Sequence, residues 1–226
     1  MDGAAAAFLV LAPLTCLALI GTAIGLAVYF SRRSRNARIA RCQAWAAHHG
    51  FQYRPADDSV LRISARPPFT AGHGRSGVDV FRGVHRGVHL HCFEYRYRTS
   101  DGENETTHYF QVVAVGLPAM RPYLEIGREG LLPKSLGKDI DFENHAFNER
   151  FRVVSANPRF AHDVIHPRTM EWMLADPRAQ SYRWRFEGSW LMTFRKGRLN
   201  LDELLPVADF LCDVLAQIPK HVWADR

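Results

Sequence analysis

Four stretches of this chain place reactive side chains at spacings that chemistry uses. His162-Asp163-Val164-Ile165-His166 imitates the zinc motif H-E-x-x-H. That motif needs both histidines mid-helix on one face, with the acid reaching a metal-bound water. Here His166 precedes Pro167, which pushes it out of helical geometry. Asp163 is also one methylene shorter than glutamate, and no third ligand is evident, so zinc protease chemistry is not expected. Gly72-His73-Gly74-Arg75-Ser76-Gly77 matches G-x-G-x-x-G. A dinucleotide fold requires a strand before it and a helix after it. Pro67-Pro68-Phe69-Thr70 precedes it instead, and the alternating run Val78-Asp79-Val80-Phe81 follows. A kinase-type loop would lie between strands, yet no lysine occurs before Lys134 and neither H-R-D nor D-F-G follows. A flexible glycine loop is expected.

His85, His89, His91 and His108 crowd one region. His89 and His91 share a strand face by the period of two. A hairpin register centred on the polar loop 99–105 sets His108 opposite Arg96, on the other face, where Glu94 also lies. Partly exposed sheet histidines are the favoured reading. Asp139-Ile140-Asp141-Phe142-Glu143 alternates acidic and apolar residues. It reads as a magnesium-binding row or, more simply, as the wet face of an edge strand. No catalytic residue, metal or cofactor is assigned. His89, His91, Asp139 and Asp141 are the groups to examine first if a metal or catalytic site converges in space.

The element that governs the placement of all of these is the stretch Ala4 to Phe30. It carries no charged residue and ends in Ser31-Arg32-Arg33-Ser34-Arg35. A helix crossing a ~30 Å hydrocarbon core needs about 20 residues, so a single transmembrane anchor is expected over 1–30. A cleaved signal peptide would have a basic start and a shorter apolar core. Arg32, Arg33, Arg35, Arg38 and Arg41 flank its C-terminal side as a basic juxtamembrane segment. By the positive-inside bias they put the N-terminus outside and the rest in the cytoplasm of a plasma membrane. Gly21 and Gly25 form a G-x-x-x-G, which suits close helix–helix contact and a homodimer, although small residues are common in such helices.

The net charge of +6 raises the question of nucleic acid. All 29 Lys and Arg follow residue 30, and five are the flanking arginines; the remaining 24 face 22 of the 23 acidic residues. A domain at +2 offers no footprint for nucleic acid, and none is expected as a partner. Cys16, Cys42, Cys92 and Cys212 are scattered without a C-x-x-C, which fits reduced thiols better than a disulfide or metal framework.

Ala37 to His49 reads as a linker helix stopped by Gly50, which with the basic flank forms segment 31–50. Residues 51–226 read as one α+β domain. Phe51-Gln52-Tyr53 is a short strand, and Asp57 or Asp58 caps a short helix through Ile63. Val78–Val84 and Val88–Arg98 flank a three-residue turn, pairing Val84 with Val88, Arg82 with Leu90 and Val80 with Cys92. Thr106–Val115 is a third strand ended by Leu117-Pro118, and Pro122–Ile126 a fourth. Asn157-Pro158 and Pro167 open helices. Tyr182–Phe186 and Trp190–Phe194 form a hairpin turning at Glu187-Gly188. Asn200-x-x-Glu203 resembles a capping box before a final amphipathic helix to about Ile218.

Phe147-Asn148-x-x-Phe151-x-Val153 and His166-Pro167-x-x-Met170-x-x-x-Leu174 together resemble a bacterial, actinobacterial-type membrane-anchored family of unknown function. The resemblance implies a Phe-Asn-x-x-Phe-x-Val strand, a Pro-x-x-Met helix and a late two-stranded unit. It brings no activity and no catalytic residues.

The expectation is therefore an N-terminal transmembrane helix followed by a mainly antiparallel sheet with helices on one side and a C-terminal helix. The leading functional reading is a non-enzymatic interaction or scaffolding module at the bilayer, contacting it through residues 4–30 and able to engage a membrane protein partner. The alternatives are a membrane-tethered enzyme or small-ligand binder with a site invisible in sequence, and an anionic-lipid-binding module.

Overall fold

Residues Asp2–His49 form one helix, α1. The computed structural model describes residues 2–130, 132 and 137–224, with side chains from Gly21 onward. The chain divides into two compact units, Met1–Ala44 and Trp45–Arg226.

Among the described residues no helix is long and apolar enough to cross a membrane. Residues 4–20 of the expected anchor lie outside the described side chains. The transmembrane helix over 4–30 is thus a reading the structure corrects. The single-pass plasma-membrane topology, the cytoplasmic placement of the domain, the bilayer contact, the membrane protein partner and the homodimer all rested on it and lose their basis.

The second unit is an antiparallel α+β fold, as the strand periodicity and caps predict. After Gly50, at a φ of 72°, comes β1 (Gln52–Ala56). Asp57 then caps a short 3-10 helix, Asp58–Ile63, by accepting from the Ser59 N–H at 3.0 Å. Four strands follow in the sheet path: β2 (His73–His85), β3 (Val88–Ser100), β4 (Glu105–Arg128) and, after α2 (His145–Arg150), β5 (Phe151–Ser155). Helices α3 (Pro158–Val164), α4 (Pro167–Ala175) and α5 (Pro177–Ser181) lead into β6 (Trp184–Lys196). The chain closes with α6 (Leu201–Gln217) and a 3-10 turn, Lys220–Trp223. The sheet order is β1-β2-β3-β4-β5, and β6 pairs with β4.

The β2–β3 register is offset from the predicted one. Its turn has two residues, Arg86 and Gly87, both at positive φ (49° and 83°), so His85 faces Val88 and Arg82 faces His91. This register holds to Phe81 opposite Cys92; a bulge at Asp79, φ 46°, then shifts the pairing by one residue, so that Val78 faces Glu94. His108 pairs with Tyr97 rather than Arg96, which returns it to the face of His89 and His91.

β4 is one strand of 24 residues where two were predicted. Its first half pairs with β3 and its second with β5, while β6 runs along its other edge throughout. The predicted β6 hairpin is likewise one strand. The two expected breaks, near Leu117-Pro118 and at Gly188, coincide: Arg121 pairs with Gly188 at a shift in register. Gly188, at φ 58°, bends β6 where β4 loops out. Beyond the break, odd-numbered residues of both strands occupy the face that even-numbered ones hold before it.

One face carries Val80, Phe93, Tyr95, Phe110, Val112, Ala114, Met192 and Phe194, covered by Val60, Ile63 and Phe69. The opposite face meets α6, which presents Leu204, Val207, Ala208, Phe210, Leu211 and Val214. Glu94 and Gln111 anchor the entry to α6 by accepting from the Leu199 and Asn200 N–H groups at 3.0 and 2.8 Å. Phe147-Asn148 lies on α2, not on a strand. The Asn148 amide brackets the backbone of Phe142, accepting from its N–H at 3.1 Å and donating to its carbonyl at 2.7 Å.

Candidate functional site

The sequence candidates do not converge. His91 packs against Trp190 with ring centroids 4.4 Å apart and the planes tilted by 37°. Burial, with Arg82 and His89 adding to it, pushes its pKa down to about 4. Such a histidine is neutral at pH 7, and its ring serves packing. Asp139 sits beside β5, where its carboxylate accepts from the Ile140 and Val153 N–H groups, both at 2.9 Å. Burial raises its pKa. His89 and His91 lie beside the first half of β4, and Asp139 and Asp141 beside β5 on the second half. Among the described residues no group of three or more His, Cys, Asp or Glu could hold a metal ion.

His166 caps α4 from outside the helix, with Nε2 3.2 Å from the Gln217 carbonyl, as Pro167 requires. The glycine loop is partly strand β2. Gly77 gives room to Val60, and its N–H donates to Asp58 at 3.0 Å. These glycines serve close packing. On α1, Arg32, Arg33, Arg35 and Arg41 are exposed and Arg38 is half-buried. Nothing stands within 4 Å of a Cβ placed on Gly21 or Gly25.

The structure instead draws attention to residues that sequence reading treated as plain strand. α5 ends at Ser181, and the chain enters β6 through Tyr182 and Arg183. Between this corner and the Thr193–Lys196 end of β6 is an open slot of about 250 Å³. Phe110 and Phe194 form its floor; Lys196 faces Phe110 across the sheet. Arg183, Arg195 and Lys196 rim it. Arg195 pairs with Glu203 of α6, so Glu203 does not close a capping box.

Arg183 stands over Phe194, its guanidinium carbon 4.0 Å from the ring centroid. Burial lowers its pKa, opposed by Glu125 and reinforced by Arg185. Beneath it is a sealed polar network. Arg185 donates to Glu125 Oε2 through Nε at 2.9 Å and Nη2 at 2.7 Å, and the Tyr123 hydroxyl donates to the same oxygen at 2.9 Å. Arg185 also reaches Ser64 Oγ at 3.1 Å and the Pro67 carbonyl at 2.8 Å. Ser64 in turn donates to Glu187 at 2.6 Å. The second oxygen, Glu125 Oε1, is buried without a hydrogen-bond partner, and Arg183 Nη1 is 4.0 Å away. Arg66 stacks over Tyr123 at 3.9 Å. Three guanidinium groups, Arg66, Arg183 and Arg185, thus stand against two carboxylates, Glu125 and Glu187.

The slot can therefore do two things together. Its floor shelters apolar groups, and the uncompensated positive charge at its rim attracts an anion. None of its lining residues is a carboxylate or imidazole. The one signal in the sequence was Arg183-Trp184-Arg185: a strand alternating arginine with a large aromatic demands partners on both faces.

No family model matches the chain, and no curated protein matches it. The resemblance to a membrane-anchored family of unknown function is corrected accordingly. The fold is similar to that in the crystal structure of the mycobacterial trehalose monomycolate transport factor A, TtfA, with a TM-score of 0.54 over 80% of this chain and 95% of that one. At 19% sequence identity the likeness shows a shared fold alone.

Proposed function

We propose that the Trp45–Arg226 unit is a non-catalytic binding module for an anionic amphiphile. The apolar part lies on Phe110 and Phe194, and the head group meets Arg183 and Lys196. The observation that carries this reading is the position of Arg183, over the Phe194 ring and the third guanidinium of a cluster that holds only two carboxylates. The slot is slightly smaller than the ~300–1,000 Å³ of drug-sized pockets. It suits a head group or a short acyl segment rather than a whole lipid. TtfA is named for the transport of trehalose monomycolate. A lipid-handling role on a shared fold supports this reading over a scaffold.

Isothermal titration of the full chain tests it, with dihexanoyl phosphatidic acid below its micellar concentration and octyl glucoside as the uncharged comparison. Saturable binding of the anionic ligand is expected, weakened about 10- to 100-fold by Arg183→Gln through loss of a charge-assisted contact. Equal binding of both ligands, or affinity unchanged in the variant, would refute an anion-reading slot.

A further inference from the structure

A second cavity, of about 330 Å³, shares no lining residue with the first. Two guanidinium groups and an imidazole from three separate elements border it: Arg121 of β4, Arg159 of α3 and His221 of the C-terminal 3-10 turn. One carboxylate, Asp163, lies there too, 4.0 Å from His221. Two arginines against one carboxylate leave the balance positive.

Arg121 is the unusual member. It sits at the register break opposite Gly188, with its guanidinium carbon 5.7 Å from the centre of the Trp223 ring. Nη1 donates to the Met120 carbonyl at 2.7 Å. Nε and Nη2 are shielded from water and have no hydrogen-bond partner. Buried donors are almost always paired, so two orphans on one side chain require an explanation. Nε and Nη2 also form one edge of the guanidinium, the edge that grips two oxygens of a carboxylate or phosphate at once. Among the described residues, the guanidinium is held by one backbone carbonyl and by its contact with Trp223. A turn of the side chain would therefore bring the fork to the cavity and change its contact with Trp223.

We infer that this cavity is a binding site for a tetrahedral oxyanion, phosphate or sulfate, either free or as an ester. Arg121 supplies the two-pronged contact, and Arg159 and His221 supply the remaining donors. A tetrahedral anion fits three converging donors better than a carboxylate, whose two oxygens the Arg121 fork alone would occupy. The site stands independently of the amphiphile slot.

The test is titration of the full chain with inorganic phosphate at low ionic strength, read by tryptophan fluorescence and calorimetry, with sodium chloride as control. A parallel series uses dihexanoyl phosphatidic acid on the Arg183→Gln variant, which removes the contribution of the first slot. Saturable phosphate binding is expected, with Arg121→Gln weakening it about tenfold or more. Arg121→Lys, which keeps the charge and loses the fork, should fail to restore it. Arg159→Gln, at an exposed position, gives a second reading if Arg121→Gln does not fold. Tighter binding of the ester would assign a lipid head group, and equal binding the free anion. Absence of saturable binding in both series, or affinities indifferent to Arg121 and Arg159, would overturn the site.

Discussion

Arg185 and Glu125 face each other across β6 and β4, both sealed from water, and the guanidinium places two donors on the single oxygen Oε2. The other oxygen is left to Arg183, 4.0 Å away. A charge pair this deep is costly to desolvate, and its removal is costly only when one partner remains. Its geometry ties the interior of the sheet to the rim of the slot.

Arg185→Leu should destabilise the fold by about 3 kcal/mol, the low end of the ~3–5 kcal/mol for a stranded buried charge, because Tyr123 and Arg183 still serve Glu125. The Glu125→Leu/Arg185→Leu double variant should recover most of that loss. Urea unfolding of the single and double variants measures both. A double variant as unstable as the sum of the two single ones would show the pair to be uncoupled.

Stability should fall with acid because of His91. Its folded pKa of about 4 lies below the unfolded value near 6.5. The unfolded chain therefore binds the proton more readily, and the contribution of neutral His91 is full above pH ~6.5 and is lost as pH falls towards ~4. His91→Phe should flatten this part of the pH–stability profile while keeping the ring contact with Trp190. An unchanged slope would place the acid sensitivity elsewhere.

Gly77 tests the glycine motif. A methyl group there would press into Val60 and approach the Asp57 carbonyl oxygen to 2.8 Å. Gly77→Ala should cost about 1–3 kcal/mol by overpacking, seen as a lower urea midpoint. A variant of unchanged stability would mean that the 3-10 helix gives way freely.

Much of the domain was legible from its residues. The caps at Asp57, Asn157 and Asn200 were readable because a short polar side chain before an apolar run satisfies free N–H groups in a stereotyped way. The β2–β3 turn was misread by one residue because its positive-φ pair is Arg86-Gly87, without the asparagine or aspartate that usually marks such a turn. Leu117-Pro118 was read as a strand end and Glu187-Gly188 as a hairpin turn. They are one shared bend, and two coinciding irregularities in paired strands have no local signature. The apolar run before Phe30 carried a strong periodicity-free signal, yet the described helix gives no span from it.

The slot was illegible for a related reason. Phe110 and Lys196 come together only through the β4–β6 pairing, and Arg183 reaches Phe194 only because both strands invert their faces at Arg121 and Gly188. Local spacing could place Arg183 and Arg185 on one side of a strand, but not say that the side is buried.

The most direct measurement is an amide chemical-shift map of the full chain titrated with dihexanoyl phosphatidic acid. The account predicts saturable shifts centred on Phe110, Ser181 to Arg183 and Thr193 to Lys196, which disappear from this cluster in Arg183→Gln while the rest of the spectrum is retained. Shifts confined to other surfaces, or a spectrum unmoved by the ligand, would contradict it.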